Sequence, residues 1–133
     1  MIVVNTYIKD IPGKGIGLFA GEFLKKDTVW WIWKDGFDVK VSPKTFNNLN
    51  KITQDYVLRY CVKGEDGTYY ICTDNGKYNN HSLDANTDGE DYSNGVAMVS
   101  IVTRDVQKDE ELTCNYLSFI YDYPNGKLDF NVI

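Results

Sequence analysis

Three short segments hold the residue types best suited to chemistry. Asn79-Asn80-His81-Ser82 contains the only histidine of the chain, set among amides and a hydroxyl. By itself such a histidine reads as a loop residue, exposed or hydrogen-bonded. A relay through Ser82, His81 and Asp84 is poor chemistry, because close neighbours on one loop do not place a hydroxyl and a carboxylate on opposite imidazole nitrogens. The three cysteines, Cys61, Cys72 and Cys114, form no C-x-x-C pair, so with one histidine a zinc site lacks ligands. What the segment does offer is hydrogen bonding suited to a polar cofactor. The second segment runs from Asp109 through Glu110-Glu111-Leu112 to Tyr116. Alone it is a charged turn leading into a strand and a core tyrosine. The third, Gly15-Ile16-Gly17, is a turn signal that also lets backbone approach a ligand. It lacks the third glycine and the following helix of a dinucleotide site.

The elements that must carry these segments are mostly short strands. Residues 2–8 are β-prone, and the glycine-rich run IPGKGIGLFA follows them. TVWWIW, residues 28–33, reads as a buried strand, and residues 35–41 as a turn. Ser42-Pro43 is a helix start, with a capping hydroxyl and proline at the first helical position. Phe46, Leu49, Ile52, Tyr56, Val57 and Tyr60 recur at helical spacing, so one helix is expected over residues 43–59. Residues 60–62 and 68–73 form an expected hairpin. The Asn-, Asp-, Gly- and Ser-rich stretch 74–94 reads as a long irregular loop, a class that is usually functional or disordered. Residues 95–102 (GVAMVSIV) are a strong strand, 112–116 a short one, and 117–133 an aromatic tail. The expectation is a mainly β fold whose site is made by loops.

At 133 residues the chain has room for one core. Hydrophobic residues make up 43% and charged residues 25%, as in ordinary globular proteins. The net charge of −5 argues against nucleic acid and is compatible with a basic partner. No basic-then-apolar leader opens the chain and no apolar run reaches membrane-spanning length, so no signal peptide and no membrane are expected. An odd number of cysteines is expected as reduced thiols in an intracellular protein, cytoplasmic or nuclear.

Jointly, the order and spacing of G-x-G, N-H-S and E-E-L-T-x-x-Y resemble the SET domain. IPGKGIGLFA is similar to that family's SxxxGxGLFA opening, and Tyr78 to Asn86 (YNNHSLDAN) to FINHSCxPN. Ile101 to Val106 (IVTRDV) is similar to its TRDI strand, and Phe23 to Val29 to its I-x-K-G-x-x-V turn. The resemblance covers residues 11–116, with a variable insert at about 36–70, inside a single domain of residues 1–133 ending in an aromatic flank, 117–133. It implies a fold of small curled sheets (a β-clip), one or two short helices, and a C-terminal segment threaded as a pseudoknot, with residues 79–82 and 114–116 as its two halves. It also implies a protein-lysine N-methyltransferase that uses S-adenosyl-L-methionine (SAM).

Carried over by position, Lys14, Gly15, Ile16, Gly17, Asn80 and His81 would bind SAM, with Tyr56 joining them on a looser match. Tyr116 would be the catalytic tyrosine. Trp31 or Trp33, with Cys114 and Phe119, would wall the substrate lysine channel. No metal is implied, and Glu110 and Glu111 are assigned to shaping the turn rather than to general-base work. The substrate would be a Lys-rich protein or peptide such as a histone. Neutralising a lysine of pKa near 10.4 at pH 7 costs about 4.6 kcal/mol, which an apolar aromatic channel beside a sulfonium would reduce. Three departures stand out. Cys114 occupies a position where many members carry Phe or Tyr, leaving the degree of methylation open. Leu83 and Ala85 replace the Cys and Pro of CxPN. No Cys-rich segment follows Tyr116; Phe119, Tyr121, Tyr123 and Phe130 stand there instead. The alternative reading is a catalytically silent binding module on the same fold. A dimer is compatible with either.

Overall fold

Glycine makes the first reversal of the chain. In the computed structural model, which describes residues 1–118, Gly13 and Gly15 take φ angles of 80° and 91°, a region that side chains oppose. β1 (Thr6–Ile11) therefore folds back antiparallel on β2 (Gly15–Ala20), with Ile11 opposite Gly15 and Thr6 opposite Ala20. The expected strand at 2–8 is displaced accordingly. The turn fixes the register, so pairing with β2 begins at Thr6, and Ile2 makes only an isolated bridge to Trp31.

A five-stranded sheet forms the body of the molecule. Its spatial order is β3 (Val29–Ile32), β9 (Val96–Val102), β8 (Thr87–Ser93), β10 (Thr113–Cys114) and β7 (Asn80–His81). β8 and β9 form a hairpin closed by Asn94 and Gly95, with φ angles of 53° and 72°, the backbone of a two-residue turn matched to strand twist. A third of the stretch expected as irregular loop is thus β8. β8 reads TDGEDYS and is exposed over most of its length, so it carries no apolar alternation for a sequence pattern to detect. The short strand expected at 112–116 covers only Thr113–Cys114, because a 3-10 turn, Tyr116–Ser118, ends it.

The insert builds a smaller sheet in the order β4 (Val39–Val41), β6 (Tyr69–Ile71), β5 (Cys61–Lys63). The expected hairpin is present as the antiparallel pairing of β5 and β6. The single helix expected at 43–59 is two, α1 (Pro43–Asn47) and α2 (Lys51–Tyr60). The Asn50 side chain accepts the Thr53 N–H at 2.9 Å and starts the second helix afresh. Ser42 caps the first in the same way. Val57 is the buried residue of α2, whereas Ile52, counted on the apolar face, is 83% exposed.

The main core is Leu18, Ala20, Leu24, Trp30, Val102, Val106 and Leu112. It joins β2, β3 and β9 to the segment just before β10. A second cluster of Val57, Tyr69 and Ile71 anchors α2 onto β6. The fold is mainly β with several small sheets and few helices, as the sequence implies.

Candidate active site

The site is built where a late strand lies between two earlier ones. β10 runs parallel to both β7 and β8, pairing Thr113 with Asn80 and Cys114 with His81 and Thr87. Two residues of ladder would hold little by themselves, and a buried side-chain network reinforces them. Asn86, 2% exposed, donates to the Glu111 carbonyl at 2.8 Å and accepts the Thr113 N–H at 2.9 Å. The Thr87 hydroxyl donates to the Thr113 carbonyl at 2.8 Å, and the Ser82 N–H to the Cys114 carbonyl at 3.0 Å. Satisfied buried polar groups of this kind fix one arrangement.

That arrangement sets Tyr116 against the histidine segment. The Tyr116 N–H donates to His81 Nδ1 at 3.0 Å, and its hydroxyl donates to the Asn79 carbonyl at 2.9 Å. Accepting at Nδ1 leaves the ring proton of a neutral His81 on Nε2. The two rings lie 5.3 Å apart.

Tyr116 lines a cleft of about 190 Å3 whose walls include Trp31, Trp33, Tyr60, Tyr70, Tyr92 and Cys114. Both tryptophans of the expected channel are therefore there, with Cys114. Trp33 meets Tyr70 edge-on at 5.3 Å, and Trp31 Nε1 donates to Cys72 Sγ at 3.1 Å. Phe119, Tyr121, Tyr123 and Phe130 lie outside the described residues. Cys61, Cys72 and Cys114 all line this cleft. Burial pushes the Cys61 thiol up to about 11. Burial, with the Asp74 carboxylate accepting from its Sγ, pushes Cys72 up to about 12. Cys114 is raised as well, by burial first and then by Asp88. All three are neutral thiols near pH 7, so the cleft holds no thiolate nucleophile.

Apart from Tyr56 on α2, the expected cofactor residues gather on the β1–β2 hairpin and β7, off the lining of this cleft. Asn80 Nδ2 donates to the Ile16 carbonyl at 3.1 Å and to Glu111 Oε1 at 3.0 Å, which ties the hairpin to β7. Gly17 has a steric reason to be glycine: a Cβ there would lie 2.5 Å from Ile11 Cδ1 and 2.9 Å from Glu111 Oε1. At Gly15 a Cβ would meet nothing within 4 Å, so the backbone there is open to a ligand. Lys14 donates its N–H to the Ile11 carbonyl within the turn. Tyr56 is 46% exposed and does not line the cleft; its hydroxyl lies 3.4 Å from Lys77 Nζ. The hairpin–β7 group and the aromatic cleft meet at His81 and Tyr116.

Several participants escaped the sequence reading. Glu111, assigned only to the turn, directs its carboxylate onto Asn80. Lys77 Nζ lies 5.9, 5.6 and 5.4 Å from the rings of Tyr56, Tyr60 and Tyr78, within cation–π range. Slight burial lowers its pKa, but the hydrogen bond to the Tyr56 hydroxyl and electrostatic interaction with Tyr56, Tyr78 and Tyr60 outweigh that and leave it raised. The i,i+4 spacing of Tyr56 and Tyr60 was a readable signal that the two rings share a helix face. Nothing in the sequence brings Lys77 to them. Among the described residues no group of three or more His, Cys, Asp or Glu is placed to hold a metal ion.

A family model described as the SET domain matches residues 15–117. No curated protein sequence matches the chain. Solved structures do. A candidate histone methyltransferase of Plasmodium falciparum aligns with a TM-score of 0.63 at 22% identity, over 86% of this chain and 95% of that one. A humanized mutant of the Chaetomium thermophilum Polycomb Repressive Complex 2, bound to the inhibitor GSK126, aligns with a TM-score of 0.65 at 17% identity over 90% of this chain. The complex ctPRC2, in an autoinhibited conformation bound to S-adenosylmethionine, aligns with a TM-score of 0.63 at 18% identity over 91%. The chain spans 16% of each of those last two chains. At these identities the likeness is one of fold.

Proposed function

The chain belongs to the SET domain family, and from that membership we infer that it is a protein-lysine N-methyltransferase using SAM, with a lysine of a basic protein such as a histone as acceptor. The observation that carries this reading is the placement of Tyr116. Its backbone is held by His81 and its hydroxyl by Asn79, at a cleft walled by aromatic rings.

The residues fit the proposed cofactor in three respects. The open backbone at Gly15 admits a ligand, Asn80 and His81 offer polar contacts beside it, and the ring-held ammonium of Lys77 suits the cofactor's carboxylate. When bound, SAM supplies a methyl group on a sulfonium. The protein's own part is alignment and charge. Because the Tyr116 hydroxyl gives its proton to the Asn79 carbonyl, toward an incoming amine it acts as an acceptor. The aromatic walls strip water from that amine and so favour its neutral, nucleophilic form. Asp88, exposed where it lines the cleft, attracts the cationic side chain on approach. The threaded C-terminal crossing is part of this proposal, supported by β10 lying between β7 and β8.

The test is methyl transfer from isotopically labelled SAM to core histones and to lysate proteins, with mass spectrometry of each labelled band. Label on lysine supports the reading. SAM binding without transfer to any protein would favour a silent binding module. Calorimetry showing no heat with SAM or its demethylated product would remove the cofactor assignment.

A further inference from the structure

A carboxylate close to the reacting amine works against methyl transfer. An opposite charge nearby favours the ammonium form, and only the neutral amine can take the methyl group. Among the described residues lining the cleft, Asp88 is the one carboxylate. It is the first residue of β8 past the pairing of Thr87 with Cys114, where β10 ends. Its Oδ1 accepts the Gly89 N–H at 2.8 Å, which steadies the carboxylate, and it enters no ion pair among the described residues. The cations on the lining are engaged elsewhere. The Arg59 guanidinium lies 5.6 Å from the Tyr60 ring, and Lys77 is held by its three tyrosines. Glu90, exposed two residues along β8, adds negative charge. The charge of Asp88 is felt at the centre of the site. Burial first, and then Asp88, raises the Cys114 thiol. That thiol lies 3.7 Å from the same Asn79 carbonyl that holds the Tyr116 hydroxyl.

We propose that Asp88 pairs with an arginine next to the target lysine in the substrate chain, so that the acceptors are lysines with an arginine neighbour. This rests on the methyltransferase reading and names its substrate class. A lysine entering without such a neighbour would itself become the partner of Asp88 and be held protonated beside Tyr116. An adjacent arginine takes that place. Its guanidinium keeps its charge across the working pH range and grips a carboxylate through two parallel N–H bonds. Asp88 is exposed, so it stands at the mouth of the cleft, where a side chain that stays outside arrives while its neighbour inserts. With Asp88 neutralised, the amine loses its proton to solvent. Its lone pair then forms the N–C bond, and the C–S bond breaks with its electrons going to sulfur.

The experiment compares the full chain with Asp88→Asn and Asp88→Lys, using labelled SAM and synthetic core-histone peptides in which the residues flanking each lysine are arginine, alanine or glutamate. Asparagine keeps an oxygen for the Gly89 N–H and removes only the charge. The unsubstituted chain should methylate arginine-flanked lysines with kcat/KM about tenfold or more above alanine-flanked ones. Asp88→Asn should bring that ratio near one, and Asp88→Lys should turn the preference to glutamate-flanked lysines. The pH profile separates pairing from packing. On alanine-flanked peptides the rise in rate should come at lower pH in Asp88→Asn than in the unsubstituted chain, because an amine beside an unpaired carboxylate stays protonated to higher pH. On arginine-flanked peptides the two profiles should coincide. A flanking preference unchanged in both variants, an equal loss of rate on every peptide, or an Asp88→Asn protein that does not melt cooperatively would overturn the inference while leaving the methyltransferase reading intact. No transfer by any of the three proteins to any peptide would remove both.

Discussion

Tyr116 is the residue whose chemistry can be separated from its packing. A phenylalanine would keep the ring beside His81 and the backbone bond to Nδ1, and would lose only the hydroxyl that Asn79 orients. Removal of one preorganised polar group from an active site lowers turnover by about a hundredfold or more. Glu111 makes the contrasting prediction. Its carboxylate accepts from Asn80 and touches no expected substrate group. Glu111→Leu should therefore weaken SAM binding by about tenfold, measured by calorimetry, through loss of a charge-assisted bond that positions Asn80. Glu111→Gln, which keeps an acceptor, should recover most of that affinity; equal loss in both variants would contradict a positioning role. At this scale Tyr116, His81 and Asn80 were legible because their types and order are distinctive. Glu111 and Asn79 were not, since a glutamate in a charged turn and an asparagine among asparagines look like solvated residues until their partners are known.

The elements explain why some of these residues could be placed in advance and others could not. Glycines and a Ser-Pro start are local signals, and they located the β1–β2 turn and the beginning of α1 correctly. The restart of the helix at Asn50 was equally local, but apolar spacing ran across it and masked the cap. β8 was invisible because its pairing with β9 comes from main-chain groups that no side-chain pattern reports. Gly17 offers the sharpest element-level test. Gly17→Ala would press its methyl against Glu111 Oε1 and Ile11 Cδ1, both ends of side chains that can move. The expected cost in stability is small, roughly 1 kcal/mol or less, while displacement of Glu111 from Asn80 should lower SAM affinity several-fold. A thermal melt and a SAM titration of the same sample measure both. A large fall in melting temperature with unchanged affinity would show the glycine serving only the hairpin.

For the whole molecule, two pH effects and one salt effect follow. Methyl transfer should rise between about pH 7 and 9, because the acceptor amine must be neutral. The fold itself should weaken above that range. Cys61 and Cys72 are raised to about 11 and about 12 by burial, so their contribution is whole below the unfolded thiol pKa of about 8.5. It is lost as pH climbs toward the folded values. Urea melts at pH 7 and 10 should show the lower stability at 10. Added salt should weaken a basic peptide more than SAM, since the net charge of −5 acts at distances that about 0.1 M salt screens; equal sensitivity would remove that role for the charge. The overall architecture was legible because three motifs with fixed order constrain one topology. The shape of the cleft was not, since its walls come from residues as distant as Trp31, Tyr60, Tyr92 and Tyr116, which only the packed sheets bring together. The most direct measurement of the central claim is the single-turnover rate of methyl transfer to histone at saturating SAM, for the unsubstituted chain and Tyr116→Phe, beside the SAM affinity of each. The account predicts near-equal affinities and a rate lower by about a hundredfold or more in the variant. A folded Tyr116→Phe protein that binds SAM and transfers methyl within a few-fold of the unsubstituted rate would contradict it.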